Sequence, residues 1–243
     1  MVFVISSQWR ELKISGSGTT SGGSYGYVKI NGSGTVLGDL ICKEFVSGGS
    51  SKVEGDLTIE LVDIKGKTSI EGSMQAQTVQ VQGTCKVAGS ASVRELIVKG
   101  TTKIAGAIIG EELLFKGALK VNGDCDVTQA RMHGSFTVSG SLKTEFLSVK
   151  LHGRCSATSI YAKRLEVVKG GFSFGLENLF EGLAKELRTD MIEGEAIYLE
   201  HTRANTVRGK NVHIGPNCQI KYVEYKEEIT IAPDAVVREK KQV

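Results

Sequence analysis

The chain has 243 residues, 30 of them glycine and only two proline, with 6% aromatic and 40% apolar residues. That balance excludes a conventional α/β enzyme core and a proline-rich disordered chain, yet leaves enough apolar material for a continuous core. Thirty basic residues against 27 acidic ones leave a net charge of +3, and no Lys/Arg block breaks the sequence, so no nucleic-acid partner is expected on charge.

The first residues, Val2, Phe3, Val4 and Ile5, are too short for a signal peptide. They read as an edge strand covering the first coil of a repeat, with membrane contact as the second reading. Residues 1–27 form a polar, Gly/Ser-rich lead-in.

From residue 28 to 170 two glycine series interleave at 17-residue spacing. One runs from Gly32 and Gly49 to Gly134, the other from Gly38 and Gly55 to Gly140. A period held over seven cycles marks a repeat architecture. Apolar positions alternate with polar ones inside each cycle, as in Val62, Ile64, Ile70, Leu57 and Ile59, which is the strand period and not the helical one. Three short strands with glycine corners describe one coil of a triangular β-solenoid, and glycine suits corners because it enters positive φ freely. Past Gly140 a two-residue insertion separates Gly134 from Gly153 before the spacing returns at Gly170.

Residues 171–193 break the pattern. Leu176, Leu179, Phe180, Leu183 and Leu187 are spaced for one face of an amphipathic α-helix, which packs on the solenoid or docks a partner or membrane surface. From 194 to 237 the coils resume, with Pro216 and Pro233 one period apart, and 238–243 is a charged tail. The expected fold is therefore an all-β parallel β-helix with one helical insert, roughly eleven coils making a rod about 50 Å long.

No catalytic, cofactor or metal site is expected. Cys42, Cys85, Cys125, Cys155 and Cys218 are odd in number and widely spaced, which fits reduced, buried thiols in the cytoplasm better than a disulfide framework or zinc site. Asp124 and Asp126 flank Cys125 and read as a solvated face, not an acid pair. His133, His152, His201 and His213 stand apart from any nucleophile signature, and the phrase His213-Ile-Gly-Pro-Asn217 is only locally like a hexapeptide-repeat acyltransferase coil. Nucleotide-binding motifs are absent.

The units Gly66-Lys-Thr-Ser-Ile-Glu-Gly72, Gly83-Thr-Cys-Lys-Val-Ala-Gly89 and Gly100-Thr-Thr-Lys-Ile-Ala-Gly106 resemble coils of the bactofilins, bacterial cytoskeletal proteins. The resemblance covers about residues 28–170, and 212–237 more loosely. It implies a right-handed β-helix that polymerises end to end without nucleotide or metal. Such polymers scaffold cell shape, motility or protein localisation, and some members touch the membrane through a short apolar N-terminal segment. Its expected partners are further copies of itself or a related bactofilin, with no small-molecule substrate. An uncapped coil exposes unpaired backbone groups, so Val28, Ile30 and Val36 at one end and Ile229 and Ile231 at the other are the expected assembly residues. The chain lacks the Pro-rich tails typical of the family and carries the extra insert.

Overall fold

The computed structural model describes residues 9–171 and 185–243. Among them the chain is an all-β parallel solenoid of about 13 turns, with no helix. At one rise of about 4.8 Å per turn the rod is about 60 Å long, two turns beyond the sequence expectation. Each turn places three inward pairs of side chains around one axis, and each pair stacks on its counterpart in the next turn.

One face shows how the sequence period becomes a register. Strands β4 (Ser50–Val53), β6 (Lys67–Ile70), β8 (Thr84–Val87), β10 (Thr101–Ile104) and β12 (Ala118–Val121) pair in parallel. Val53 lies on Ile70, Ile70 on Val87, Val87 on Ile104 and Ile104 on Val121. All five are buried, and complete burial of such side chains stabilises by roughly 1.5–3 kcal/mol apiece. The second inward position of this face is smaller and more varied. It holds Gly34, Ser51, Thr68, Cys85, Thr102, Leu119 and Phe136 in succession.

Volume at that position is set by what faces it. A Cβ on Gly34 would lie 2.9 Å from Ile30 and 3.0 Å from Ile14, so large isoleucines there require glycine opposite. One turn on, Ser47 replaces isoleucine and is buried, and the gap closes through hydroxyls. Ser47 and Ser51 share a hydrogen bond of 2.9 Å, and Ser51 and Thr68 one of 2.8 Å. These three hydroxyls satisfy one another, as buried hydroxyls usually do, whereas Thr102 Oγ1 further along the same column is buried without a hydrogen-bond partner.

The glycine corners are explained by close approach, which corrects the expectation from positive φ. Within the two series only Gly38 (φ 83°) and Gly134 (φ 151°) have positive φ. At Gly83, by contrast, an added Cβ would come within 2.0 Å of the Gly66 carbonyl oxygen in the preceding turn. Stacked backbones simply leave no room for a side chain at this corner.

The solenoid extends further at both ends than the sequence predicts. Strand β1 (Glu11–Ile14) pairs with β2 (Ser17–Ile30), placing Leu12 on Val28 and Ile14 on Ile30. That turn is one residue shorter than the repeat, which hid it inside the lead-in. At the other end β17 (Val236–Gln242) pairs with β16 (Gln219–Ile231), so the charged tail is strand.

The helix expected over 171–193 is not seen where the chain is described. Strand β14 (Glu186–Leu199) pairs Leu187 with Cys155 and Ile192 with Ile160 of β13 (Cys125–Lys169). Leu187 is fully buried; its i+4 distance from Leu183 imitated a helical stripe, but alternation with buried Thr189 is the period that governs. Leu176, Leu179, Phe180 and Leu183 lie outside the described residues, as do Val2, Phe3, Val4 and Ile5.

Candidate functional surfaces

A solenoid offers three kinds of surface: its flanks, its corners and its two ends. At the corner after the second glycine series, side chains reach one turn forward to backbone N–H groups. The Asp56 amide donates to Asp39 Oδ1 at 2.8 Å, the Ser73 amide to Asp56 Oδ1 at 2.7 Å, and the Ser141 amide to Asp124 Oδ1 at 2.7 Å. Ser73 and Ser90 do the same with hydroxyls, accepting from Ser90 and Ala107 amides. Asp124 is thus a structural clasp between turns, on the exposed side as expected, and Asp126 points outward from the next strand.

All five cysteines are free and buried. Burial pushes the thiols of Cys42, Cys85 and Cys125 up to about 12, and those of Cys155 and Cys218 up to about 11. A thiol so shifted is a poor nucleophile at neutral pH. His213 lies with its ring stacked on Tyr198, centroids 4.8 Å apart, and Tyr198 donates to Glu200 at 2.8 Å. Among the described residues no carboxylate is hydrogen-bonded to His213, and no group of three His, Cys, Asp or Glu is placed to hold a metal ion. No described helix is long and apolar enough to cross a membrane.

The residues expected at the two ends lie differently in the rod. Val28, Ile30 and Val36 are fully buried inside the rod, because β1 lies over the first two and the Ser17–Thr20 stretch of β2 over Val36, as Thr20 pairs with Val36. The outermost described apolar pair at that end is Leu12 and Ile14, both partly buried against the core. At the far end Ile229 and Ile231 stack on Val212 and Ile214 of β15 (Thr202–Ile214). They are partly buried, and no described strand pairs with their outer side.

One flank carries a feature that reading residue by residue missed. Lys86, Lys103 and Lys120 stand directly over one another on the outer side of β8, β10 and β12. A second column, Lys99, Lys116, His133 and Lys150, follows the adjoining corner. Burial lowers the His133 pKa, with Lys150 and Lys116 adding to the effect; burial and then Lys185 and Lys150 lower that of His152. The absence of a Lys/Arg block in the linear sequence therefore does not mean the absence of a basic stripe. The signal was present at the third residue after Gly83, Gly100 and Gly117, visible only when the sequence is written in rows of 17.

No family model matches the chain, and no solved structure matches it. The chain is 52% identical over 229 residues to the uncharacterized protein YhbE of Bacillus subtilis, covering 93% of this chain and 95% of that protein. It is also 46% identical over 55 residues to the uncharacterized protein YhbF of the same organism, 23% of each chain. A match of that identity over nearly the full length of both chains places this protein in the family of YhbE.

Proposed function

We propose that this protein is a non-enzymatic, bactofilin-like scaffold of the bacterial cytoplasm. In this reading it is a right-handed, triangular β-helix whose rods polymerise through their end turns without nucleotide or cofactor. Its cellular role is then support of cell shape, motility or protein localisation. The observation that carries the proposal is the state of the ends. Leu12 and Ile14 at one, and Ile229 and Ile231 at the other, continue the internal apolar columns but are only partly buried. The backbone beside them is an open strand edge, the template on which another chain adds. Solenoids that stay single carry polar capping repeats; here the charged strand β17 covers only Gln219–Tyr225 of β16, and no described strand pairs with the outer side of Ile229 and Ile231. Right-handed winding is the rule for parallel crossovers, and five free, buried thiols suit a reducing compartment.

Electron microscopy and sedimentation of the purified chain test the proposal. Filaments or rods of many copies are expected, and Ile14→Arg or Ile231→Arg should shift the population to single-chain particles. Both positions are partly exposed, so the substitutions should leave the β signal in circular dichroism intact. An unsubstituted chain that stays single at high concentration would sink the idea.

A further inference from the structure

Bases and acids are paired at several places along the flanks of this rod. Lys52 pairs with Glu54 at 3.0 Å, Lys163 with Glu145 at 2.6 Å, Lys210 with Glu227 at 3.1 Å, and Glu186 is shared by Arg188 and Arg203. Along the flank of turns 83–154 the pattern stops. An open groove of about 1080 Å³ lies there, bordered by Lys103 and Lys120 on one side and by Lys116, His133, His152 and Arg154 on the other. Its lining contains no Asp or Glu, and its floor is made of small residues, including Thr101, Ala118 and Ser135. Lys86 extends one border and Lys99 and Lys150 the other; all three are exposed.

This arrangement is costly for the isolated rod. In a parallel register the stacked lysines have Cα atoms about 4.8 Å apart, and like charges directly opposite destabilise a sheet. Lys86, Lys103 and Lys120 make no ion pair among the described residues. An anion laid along the groove would relieve the repulsion, and the hydroxyls of Thr101, Ser135 and Thr137 are placed to donate hydrogen bonds to its oxygens.

We propose that this groove binds a linear chain of phosphates lying parallel to the solenoid axis. A chain suits it better than a point anion, because the charges form two long rows with no focal cluster. The groove is concave between those rows, whereas a planar membrane would need a flat or apolar face. Exposed large apolar side chains such as Ile41, Ile109 and Phe146 lie outside this lining. No Phe, Tyr or Trp side chain is exposed in the lining either, since Phe136 is buried. Base stacking, which single-strand readers use, therefore has only the His133 and His152 imidazoles as a platform, and recognition is chiefly through phosphate. Inorganic polyphosphate and the backbone of a nucleic-acid strand share that chemistry. Binding in the groove does not depend on whether the rods stack through their ends.

Fluorescence anisotropy of the full chain tests it, with labelled linear polyphosphate in one arm and labelled oligo-dT in the other. Binding is expected at low salt, with log affinity falling against log salt at a slope of about −3 to −4 if roughly five charges are engaged. Lys103→Glu with Lys120→Glu should weaken binding more than tenfold, while Lys43→Glu with Lys143→Glu, an equal charge change on other flanks, should weaken it less than twofold. The milder Lys120→Gln should reduce the salt slope by about 0.7 with unchanged circular dichroism. Binding of polyphosphate but not oligo-dT, or of both, supports the groove and identifies the source. Equal losses from the two lysine pairs, no binding in either arm, or binding only to vesicles containing anionic lipid would each overturn it.

Discussion

At the residue scale the first-series glycine is among the most constrained of the described positions. A Cβ at Gly66, Gly83 or Gly100 would come to 2.0 Å from the glycine carbonyl oxygen of the turn before. No rotamer change relieves such a contact, because the obstacle is backbone. Gly83→Ala should therefore destabilise the rod by about 1–3 kcal/mol, the usual cost of overpacking, and a denaturant midpoint would measure it. Ala105→Gly, exposed at the next corner, is the control and should change the midpoint far less. An unchanged midpoint for Gly83→Ala would mean that adjacent turns can separate freely.

At the scale of elements, the longest interval between successive paired strands falls between β13 and β14. Its flanks nevertheless stay in step. The Gly170 amide donates to the Leu151 carbonyl at 2.9 Å, Lys185 Nζ donates to the Gly170 carbonyl at 3.1 Å, and Glu186 lies in register with Arg154. Gly171 and Lys185 thus flank one corner, where the preceding turn needs only Gly153 between His152 and Arg154. Deleting residues 172–184 would leave Gly171 and Lys185 to span that corner. The deletion variant should retain its β circular dichroism and its thermal midpoint within a few degrees. Loss of cooperative unfolding would show that the segment is needed to hold β14 in register.

At the scale of the whole molecule, stability is close to one-dimensional, since each turn touches only its neighbours. Openings should start at the ends, where local stability is lowest. The cysteines report on this without any added label. Cys218 lies near one end, whereas Cys85 and Cys125 lie well inside the rod, and all are buried. Under native conditions Cys218 should react with a thiol reagent before Cys85 and Cys125; simultaneous labelling would indicate all-or-none unfolding instead. The pH dependence has its origin in the same burial. Folded thiols titrate near 11 to 12 against an ordinary value of 9.0, so the unfolded chain loses these protons first. Their contribution to stability is complete below pH 9 and is lost as pH rises through the folded values.

The 17-residue spacing of glycines and the alternation around Val62, Ile70 and Val87 were sufficient by themselves to determine a parallel solenoid with buried cysteines. Both signals are local, and each repeats until chance is excluded. The rest depended on contacts between turns. Period alone could not show that Leu12 and Ile14 form a further turn over Val28 and Ile30, because a single short turn has no second copy to align with. Nor could it decide that Leu187 belongs to a strand, since four-residue spacing from Leu183 satisfies a helix until Cys155 is found beneath it. Why the corners must be glycine, and how scattered lysines become two continuous rows, are likewise decided in three dimensions. Stacking brings residues 17 apart in sequence to about 4.8 Å, and at that distance carbonyls exclude a methyl group and like charges act together.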